Sequence, residues 1–538
     1  MSLSLSPTRT RRTLLLVFTL CLVGLLRVGA PRAQPQTSTL AITGASIVAR
    51  PGADGVPGTI VITNGTIIAI GSGATVPPGA EVIDAEGLVA YAGFLDAATL
   101  VGAGGNGRDR VSGSPTDIDQ DLTRDALAAT RSVNRKGIFP DYAVGQNLRI
   151  STEDADIWRA AGFTAIHSMP ATALLAGTSA VALLLDSADA PGTRAIIDAD
   201  TMLAAGWRAP GDGYPRSLMG SIAHLRQTFL DAQHYRTVWD IYRETDGASR
   251  RPGYDFALEA LQPVLDGALP VVFPATRLDE IDRALSLANE FELRLVIDGG
   301  EEATKATSRL QDADVPVLLR IDFPAKPRRN TPNLERLEAR ARTIGRQVTD
   351  AMVQSALGVD RDTRVTEPAG RFNERLRLWR ERVGTPATLA TSGLSFAITT
   401  RGQHNAGQFL ANLRLAMEAG LSHDAALRAL TVGPAGILGV DRQLGSLEAG
   451  KIGNIALLDG RLGEANTRVR WVVVDGVPYE QGPAAADDPD DDADGDDGGE
   501  TDEAEEDGDG LLRPRRLDRE RDRDLDFALD REVDRVGL

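Results

Sequence analysis

The stretch Thr59-Ile60-Val61-Ile62-Thr63-Asn64-Gly65-Thr66-Ile67-Ile68-Ala69-Ile70 reads as two β-rich runs joined by a two-residue turn. β-Branched side chains suit a pleated strand, and an Asn-Gly pair accepts the positive φ that both central positions of a tight hairpin require. A second such signal lies near the other end, in Arg468-Val469-Arg470-Trp471-Val472-Val473-Val474-Asp475-Gly476. Working outward, Leu40 to Ala49, Glu81 to Ile83 and Asn454 to Leu458 add further short strands. Two β fragments at opposite ends of the chain predict one β domain assembled around an inserted one.

The interior has a different period. Asp279 to Phe291 carries Ile281, Leu285, Leu287 and Ala288 at helical spacing, and short apolar runs such as Leu293 to Ile297 and Pro316 to Leu319 follow. Strands alternating with helices of this length imply βα units around a parallel sheet. The interior has room for a (β/α)8 barrel, which takes about 250 residues before insertions. The predicted organisation is an α/β protein in which residues 38–92 and 436–482 form a composite β-sandwich and 93–435 a TIM-like barrel. Leu218 to Tyr235, with Met219, Ile222, Leu225, Phe229 and Leu230 at helical spacing, is read as an insertion helix whose His224 and His234 are ordinary packing or surface residues.

Composition narrows the class. A chain of 538 residues with 42% hydrophobic and 25% charged content is neither disordered nor fibrous. The net charge of −18 is unevenly spread. Residues 1–33 hold five arginines and no acid, whereas 484–510 hold fifteen acids and no base, which leaves −8 for 34–483. A mildly acidic body lacks the clustered basic face of a nucleic-acid binder. Arg9, Arg11 and Arg12 precede an apolar run from Leu14 to Leu26, and small residues follow through Ala33, the layout of a secretory signal over residues 1–33. That run is short for a membrane span of about twenty residues, although a retained signal anchor is the alternative. Cys21 is the single cysteine and leaves with the signal, so export without disulfides points to a bacterial periplasm or secretion. Residues 484–538 cannot bury a core and are expected to form a charged, disordered tail. In it Asp490, Asp492, Asp494 and Gly495 approach a calcium loop, but Thr501 stands at the twelfth position.

Two motifs identify a family resemblance. Ile83-Asp84-Ala85-Glu86-Gly87 followed by Gly93-Phe94-Leu95-Asp96-Ala97, and Ala425 to Thr431 followed by Gly445-Ser446-Leu447-Glu448-Ala449-Gly450-Lys451, resemble the entry and exit of the barrel in the amidohydrolase superfamily, of the imidazolonepropionase-related type. The resemblance covers residues 40–480 and implies a metal-dependent hydrolase of non-peptide carbon–nitrogen bonds. It also implies metal ligands, and here the chain departs from the pattern. The family's two histidines on the first strand correspond to Ala98 and Leu100, those on the fifth and sixth to Pro274 and Gly299, and the aspartate on the eighth to Arg401. None of the five histidines, His167, His224, His234, His404 and His423, falls on these positions. Ala, Leu, Pro and Gly side chains cannot donate to zinc, and an arginine repels it. No cofactor is therefore expected, zinc entering only if an active hydrolase recruits other ligands.

The C-terminal face of a barrel receives the functional side chains. The strand register places Asp96, Thr99, His167, Arg277, Asp298, Arg320, Asp322, Arg401 and His404 there, and Asp96, His167, Arg277, Asp298, Arg320 and Arg401 are the ligand-binding candidates. Arg277, Arg320 and Arg401 suit a small anionic ligand, a carboxylate or phosphate that guanidinium grips bidentately; alternatively Arg401 pairs with Asp96 or Asp298 in place of the metal. His167 lacks a carboxylate orienter nearby in sequence, and Ser179 lacks the glycines of a nucleophile elbow. Three readings follow: an exported pseudoenzyme that binds a small molecule or a partner, a hydrolase that recruits His167, His404 and Asp298, and an envelope protein that works through its charged tail.

Overall fold

The computed structural model describes residues 38–103, 136–186, 195–210, 215–245, 250–328 and 368–482. The signal segment, the acidic tail and its calcium-like run lie outside them. The chain begins with β1 (Thr39–Val48), β2 (Val56–Thr63), β3 (Thr66–Gly71), β4 (Glu81–Asp84) and β5 (Val89–Ala92). β1 pairs antiparallel with β2 along one edge and parallel with β4, then β5, along the other. Its register shifts between Ile42 and Ala45, where Gly44 adopts φ 78°. One extra residue reverses which side chains face inward, so Leu40 and Ile42 before the shift and Ala45 and Ile47 after it reach the same core.

The barrel follows. Its strands are β6 (Phe94–Thr99), β7 (Phe163–Ser168), β8 (Leu175–Thr178), β9 (Ala180–Leu183), β10 (Ile196–Asp198), β11 (Leu203–Ala205), β12 (Val271–Ala275), β13 (Leu295–Gly299), β14 (Val317–Arg320) and β15 (Phe396–Thr399). β6 and β7 are parallel, as are β11 through β15 in sequence. The segment β8–Ser179–β9 joins the two groups, β9 running against β7 and β8 against β11. β15 packs beside β6. With β8–β9 counted as one bent stave, the ring has eight staves, seven of them in the expected parallel sense.

Helices cover the outside: α1 (Thr152–Arg159), α2 (Leu218–Glu244), α3 (Leu278–Phe291), α4 (Thr307–Asp312), α5 (Ala369–Ser392), α6 (Ala406–Glu418) and α7 (His423–Leu430). In α3 the side chains of Ile281, Ala284, Leu287, Ala288 and Phe291 are buried, each large one contributing about 1.5–3 kcal/mol by leaving water. Glu280 accepts from the backbone N–H of Thr276 and Arg277 at the start of that helix, and Glu292 ends it at φ 56°. α2 runs nine residues beyond the expected Tyr235. Its buried stripe includes His224, Leu225, Thr228, Phe229, Ala232 and Tyr235, while Met219 and Leu230 face solvent. Four-residue steps from Ser221 explain the stripe; the apolar residues off that line had nothing to pack against. Among the described residues no helix is long and apolar enough to cross a membrane.

The chain then returns through β16 (Ile455–Leu458), β17 (Val469–Val474) and β18 (Val477–Glu480) to the first sheet, β16 pairing antiparallel with β5. The expected composite β domain built from both chain ends is thus one continuous sheet of eight strands, wrapped around the core of Ile42, Ile60, Ile62, Leu447, Ile455 and Val473. Both hairpin turns have the backbone their residues predict, with Asn64 and Gly65 at φ 50° and 79° and Asp475 and Gly476 at φ 50° and 78°. The two turns meet. A Cβ on Gly65 would stand 2.0 Å from Asp475 Oδ1, and one on Gly476 would stand 3.2 Å from Gly65 Cα. Gly453 N–H donates to Gly65 O at 2.7 Å and Asp475 N–H to Asn454 Oδ1 at 2.8 Å, tying the first hairpin to the last.

Candidate functional site at the barrel mouth

Three adjacent staves deliver side chains to one point. In the parallel register Asp298 of β13 stands opposite Leu318 of β14, and Arg320 opposite Thr399 of β15. Residues two apart on a strand share a face, so Arg320 and Asp298 lie together. Arg320 donates from Nε to Asp298 Oδ1 at 3.2 Å and from Nη2 to Oδ2 at 2.7 Å, and Arg401 Nη1 donates to the same Oδ2 at 2.5 Å. The Asp298 side chain is 1% exposed, those of Arg320 and Arg401 22% and 17%. One buried negative charge thus sits between two largely buried positive ones. Burial works to lower the Arg320 pKa, but Asp298, Asp322 and Glu301 outweigh it and hold the guanidinium above its ordinary value. Farther out, Arg382 of α5 pairs with Glu301 at 2.5 Å and stands 3.8 Å from Asp322.

Asp96 does not take part in that ion pair. Its Oδ1 accepts from the N–H of Ala98 at 3.2 Å and of Thr400 at 3.0 Å, and Oδ2 accepts from the Thr400 hydroxyl. These bonds stitch β6 to the end of β15. Burial pushes the Asp96 carboxyl up to about 7, with the Thr400 and Ala98 bonds pulling the other way.

His167 is fully buried. Its Nδ1 is 2.7 Å from Ala97 O and its Nε2 2.6 Å from Ser179 Oγ. A carbonyl only accepts, so Nδ1 carries the proton and Nε2 accepts from the serine hydroxyl. Ser179 Oγ in turn accepts from Met202 N–H at 3.1 Å. Burial holds the His167 pKa down to about 4, so the ring is neutral and fastens β6, β7, the β8–β9 bend and the entry to β11. The pair has the atoms of a base and a nucleophile, but both are spent on each other and on the backbone inside the core.

The other expected residues are dispersed. Arg277 lies at the start of α3 with its side chain 66% exposed, bound to Asp279 at 2.9 Å rather than turned to Arg320 and Arg401. Thr99 is buried, its hydroxyl accepting from Val101 N–H at 3.4 Å. His404 is exposed, and its backbone N–H donates to Gln408 Oε1. Thr400, which the sequence reading passed over, partners Asp96 from 304 residues away; no local pattern signals a contact of that span. Beside Arg401 and Asp298 lies a cavity of about 20 Å³, lined also by Met169, Ala176, Ala205 and Pro274.

The residues at the corresponding family positions do not fit zinc. Ala98 is buried among apolar atoms, Leu100 is 50% exposed, and the Pro274 carbonyl accepts from Trp207 Nε1. Gly299 has φ 124°, and a Cβ there would stand 3.0 Å from Thr276 Cγ2, so a longer side chain would be strained. The nearest carboxylate, Asp298, is already held by two guanidinium groups, whose charge opposes a cation. Among the described residues no three or more His, Cys, Asp or Glu side chains gather in a way that could hold a metal ion.

The strands of the barrel and the sheet built from both chain ends resemble the fold of a solved amidohydrolase. Residues 372–481 match the amidohydrolase family and so carry a segment of its domain. A crystal structure of an amidohydrolase from Thermotoga maritima MSB8 superposes with a TM-score of 0.59 at 20% identity, over 82% of this chain and 100% of that one. A putative prolidase from Bifidobacterium longum is a looser match, with a TM-score of 0.43 at 15% identity over 82% and 94% of the two chains. No curated protein matches the chain by sequence.

Proposed function

We propose that this chain is an exported amidohydrolase-fold protein that no longer carries out metal-dependent hydrolysis and instead binds at its barrel mouth. The observation that carries this reading is the Arg320–Asp298–Arg401 cluster, in which Arg401 stands where the family resemblance calls for a metal ligand and Arg320 adds a second cation on the same carboxylate. Without a metal, water there has no route to a pKa near 7. Binding draws support from the turn that carries Arg401: Gln403 is 8% exposed, and among the described residues neither of its side-chain amide atoms has a partner, nor has the Thr399 hydroxyl. Buried polar groups left open mark places that take water or ligand. Export rests on the basic and apolar pattern of residues 1–33. The competing hydrolase, built on His167, His404 and Asp298, is disfavoured because His167 has committed both ring nitrogens inside the core.

The test is metal analysis of the full chain purified without chelator. Zinc content far below one equivalent per chain is expected; about one equivalent that survives dialysis overturns the reading.

A further inference from the structure

We infer that the outer face of α2 is where two copies of this chain meet, their α2 helices lying antiparallel about a twofold axis at Leu230. The inference does not depend on what the barrel mouth does.

The spacing of exposed apolar residues is the first argument. Met219, Leu230 and Ile241 follow one another at eleven-residue steps and are 80%, 50% and 51% exposed. Eleven residues make about three turns of helix, so Met219 and Ile241 project within about 20° of Leu230. Ala223, Arg226, His234 and Thr237 lie on the same line and are exposed too, whereas Ser221, Leu225, Thr228, Ala232 and Tyr235 are buried on the opposite side. The barrel uses one side of α2 and leaves an apolar line along the other. Single exposed apolar residues need no explanation, but a set in register along a whole helix marks an interaction face.

Self-complementarity names the partner. In an antiparallel pair centred on Leu230, each residue stands opposite the one whose number brings the sum to 460. Leu230 then meets Leu230 of the second copy, and Met219 meets Ile241. The small side chains of Ala223 and Thr237 fall between those contacts and let the backbones approach. At the ends Arg216 faces Glu244; both are exposed, and neither holds an ion pair among the described residues. Arg226, whose charge Glu290 answers at 2.7 Å, faces His234. A twofold axis repeats every contact, so one interface gains two Met–Ile contacts and two Arg–Glu pairs. Turned parallel, the same face would set Arg216 on Arg216 and Glu244 on Glu244, and like charges so placed repel.

Size sets the strength. From Met219 to Ile241 the line runs about 33 Å along a helix about 10 Å across. A strip of that size belongs with weak, transient interfaces of under about 1,200 Å², so association in the micromolar range is expected.

Sedimentation velocity of the full chain, read from about 1 to 100 µM, tests the proposal, and a concentration-dependent dimer is expected. Leu230→Glu sets two carboxylates on the axis and should weaken the dimer at least about tenfold. Circular dichroism of the same variant checks that the monomer is folded. Arg216→Glu should weaken association at least about twofold by removing two rim ion pairs, and Glu244→Arg in the same chain should restore it. Orientation is read by oxidative cross-linking in a Cys21→Ser background, Cys21 being the single natural cysteine. Leu230→Cys should link to itself. Met219→Cys should link to Ile241→Cys when the two chains are mixed, but not to itself. A wild-type chain that stays monomeric throughout, a dimer indifferent to Leu230→Glu, or Met219→Cys linking to itself as readily as to Ile241→Cys each overturns the interface. The cysteine substitutions are small and exposed, so the orientation test does not depend on the charged variants folding.

Discussion

The meeting of the two hairpin turns and the barrel mouth are both places where distant parts of the chain converge, yet they are held by opposite means. At the turns, backbone conformation does the work: Gly65 and Gly476 hold positive φ, and each turn is packed against the other without room for a Cβ. At the mouth, charge does it, with Asp298 compensated by Arg320 and Arg401 and Asp96 bonded to Thr400. The contrast teaches that a junction fixed by local conformation announces itself in the sequence, while one fixed by side chains from separate strands does not.

Three substitutions sharpen or break that contrast. Asp298→Ala removes the only carboxylate between two buried guanidinium groups, and an uncompensated buried charge typically costs about 3–5 kcal/mol. Urea denaturation should show a loss of that order, and a loss under about 1 kcal/mol would mean that the arginines find other partners or water. Gly65→Ala puts a Cβ against Asp475 at a left-handed backbone position; strain of this kind costs about 1–3 kcal/mol. A midpoint unchanged from wild type would show that the two turns are not locked together. The third concerns pH. Asp96 has a raised pKa, so its contribution to stability is full below about 4 and is lost as pH rises to about 7. His167 has a lowered pKa, so its contribution is full above 6.5 and is lost as pH falls to about 4. The two slopes oppose each other between pH 4.5 and 6.5, each at most about 1.4 kcal/mol per pH unit. Asp96→Asn removes one, and its stability should then climb with pH across that window more steeply than wild type does. Parallel curves for the two proteins would contradict the Asp96 assignment.

The same physics explains what was legible. Asn64-Gly65 and Asp475-Gly476 were readable because turn chemistry is local, and α3 because Ile281, Leu285, Leu287 and Ala288 repeat at helical spacing. That Ala98, Leu100, Pro274, Gly299 and Arg401 stand at the family's ligand positions is what the resemblance implies once the two end motifs set the frame. The choice of Asp298 over Asp96 as the partner of Arg401 was not legible, since it depends on which strand lies beside β14, and neither was the solvent-facing position of Arg277, which a nearby Asp279 captures. The antiparallel stave β8–β9 was also hidden, because short buried strands look alike in either direction.

The junction of the two turns also orders events in time. Gly453 and Asn454 grip Gly65 and Asp475, and β16 completes the edge of β5. Residues 38–92 therefore lack their final partners until nearly the whole chain has left the ribosome. Contacts of such long sequence separation form slowly, so the free edge of β5 waits for β16 to arrive. The order of synthesis thus makes closure of this domain a late event: the contacts that lock the two turns together cannot form early.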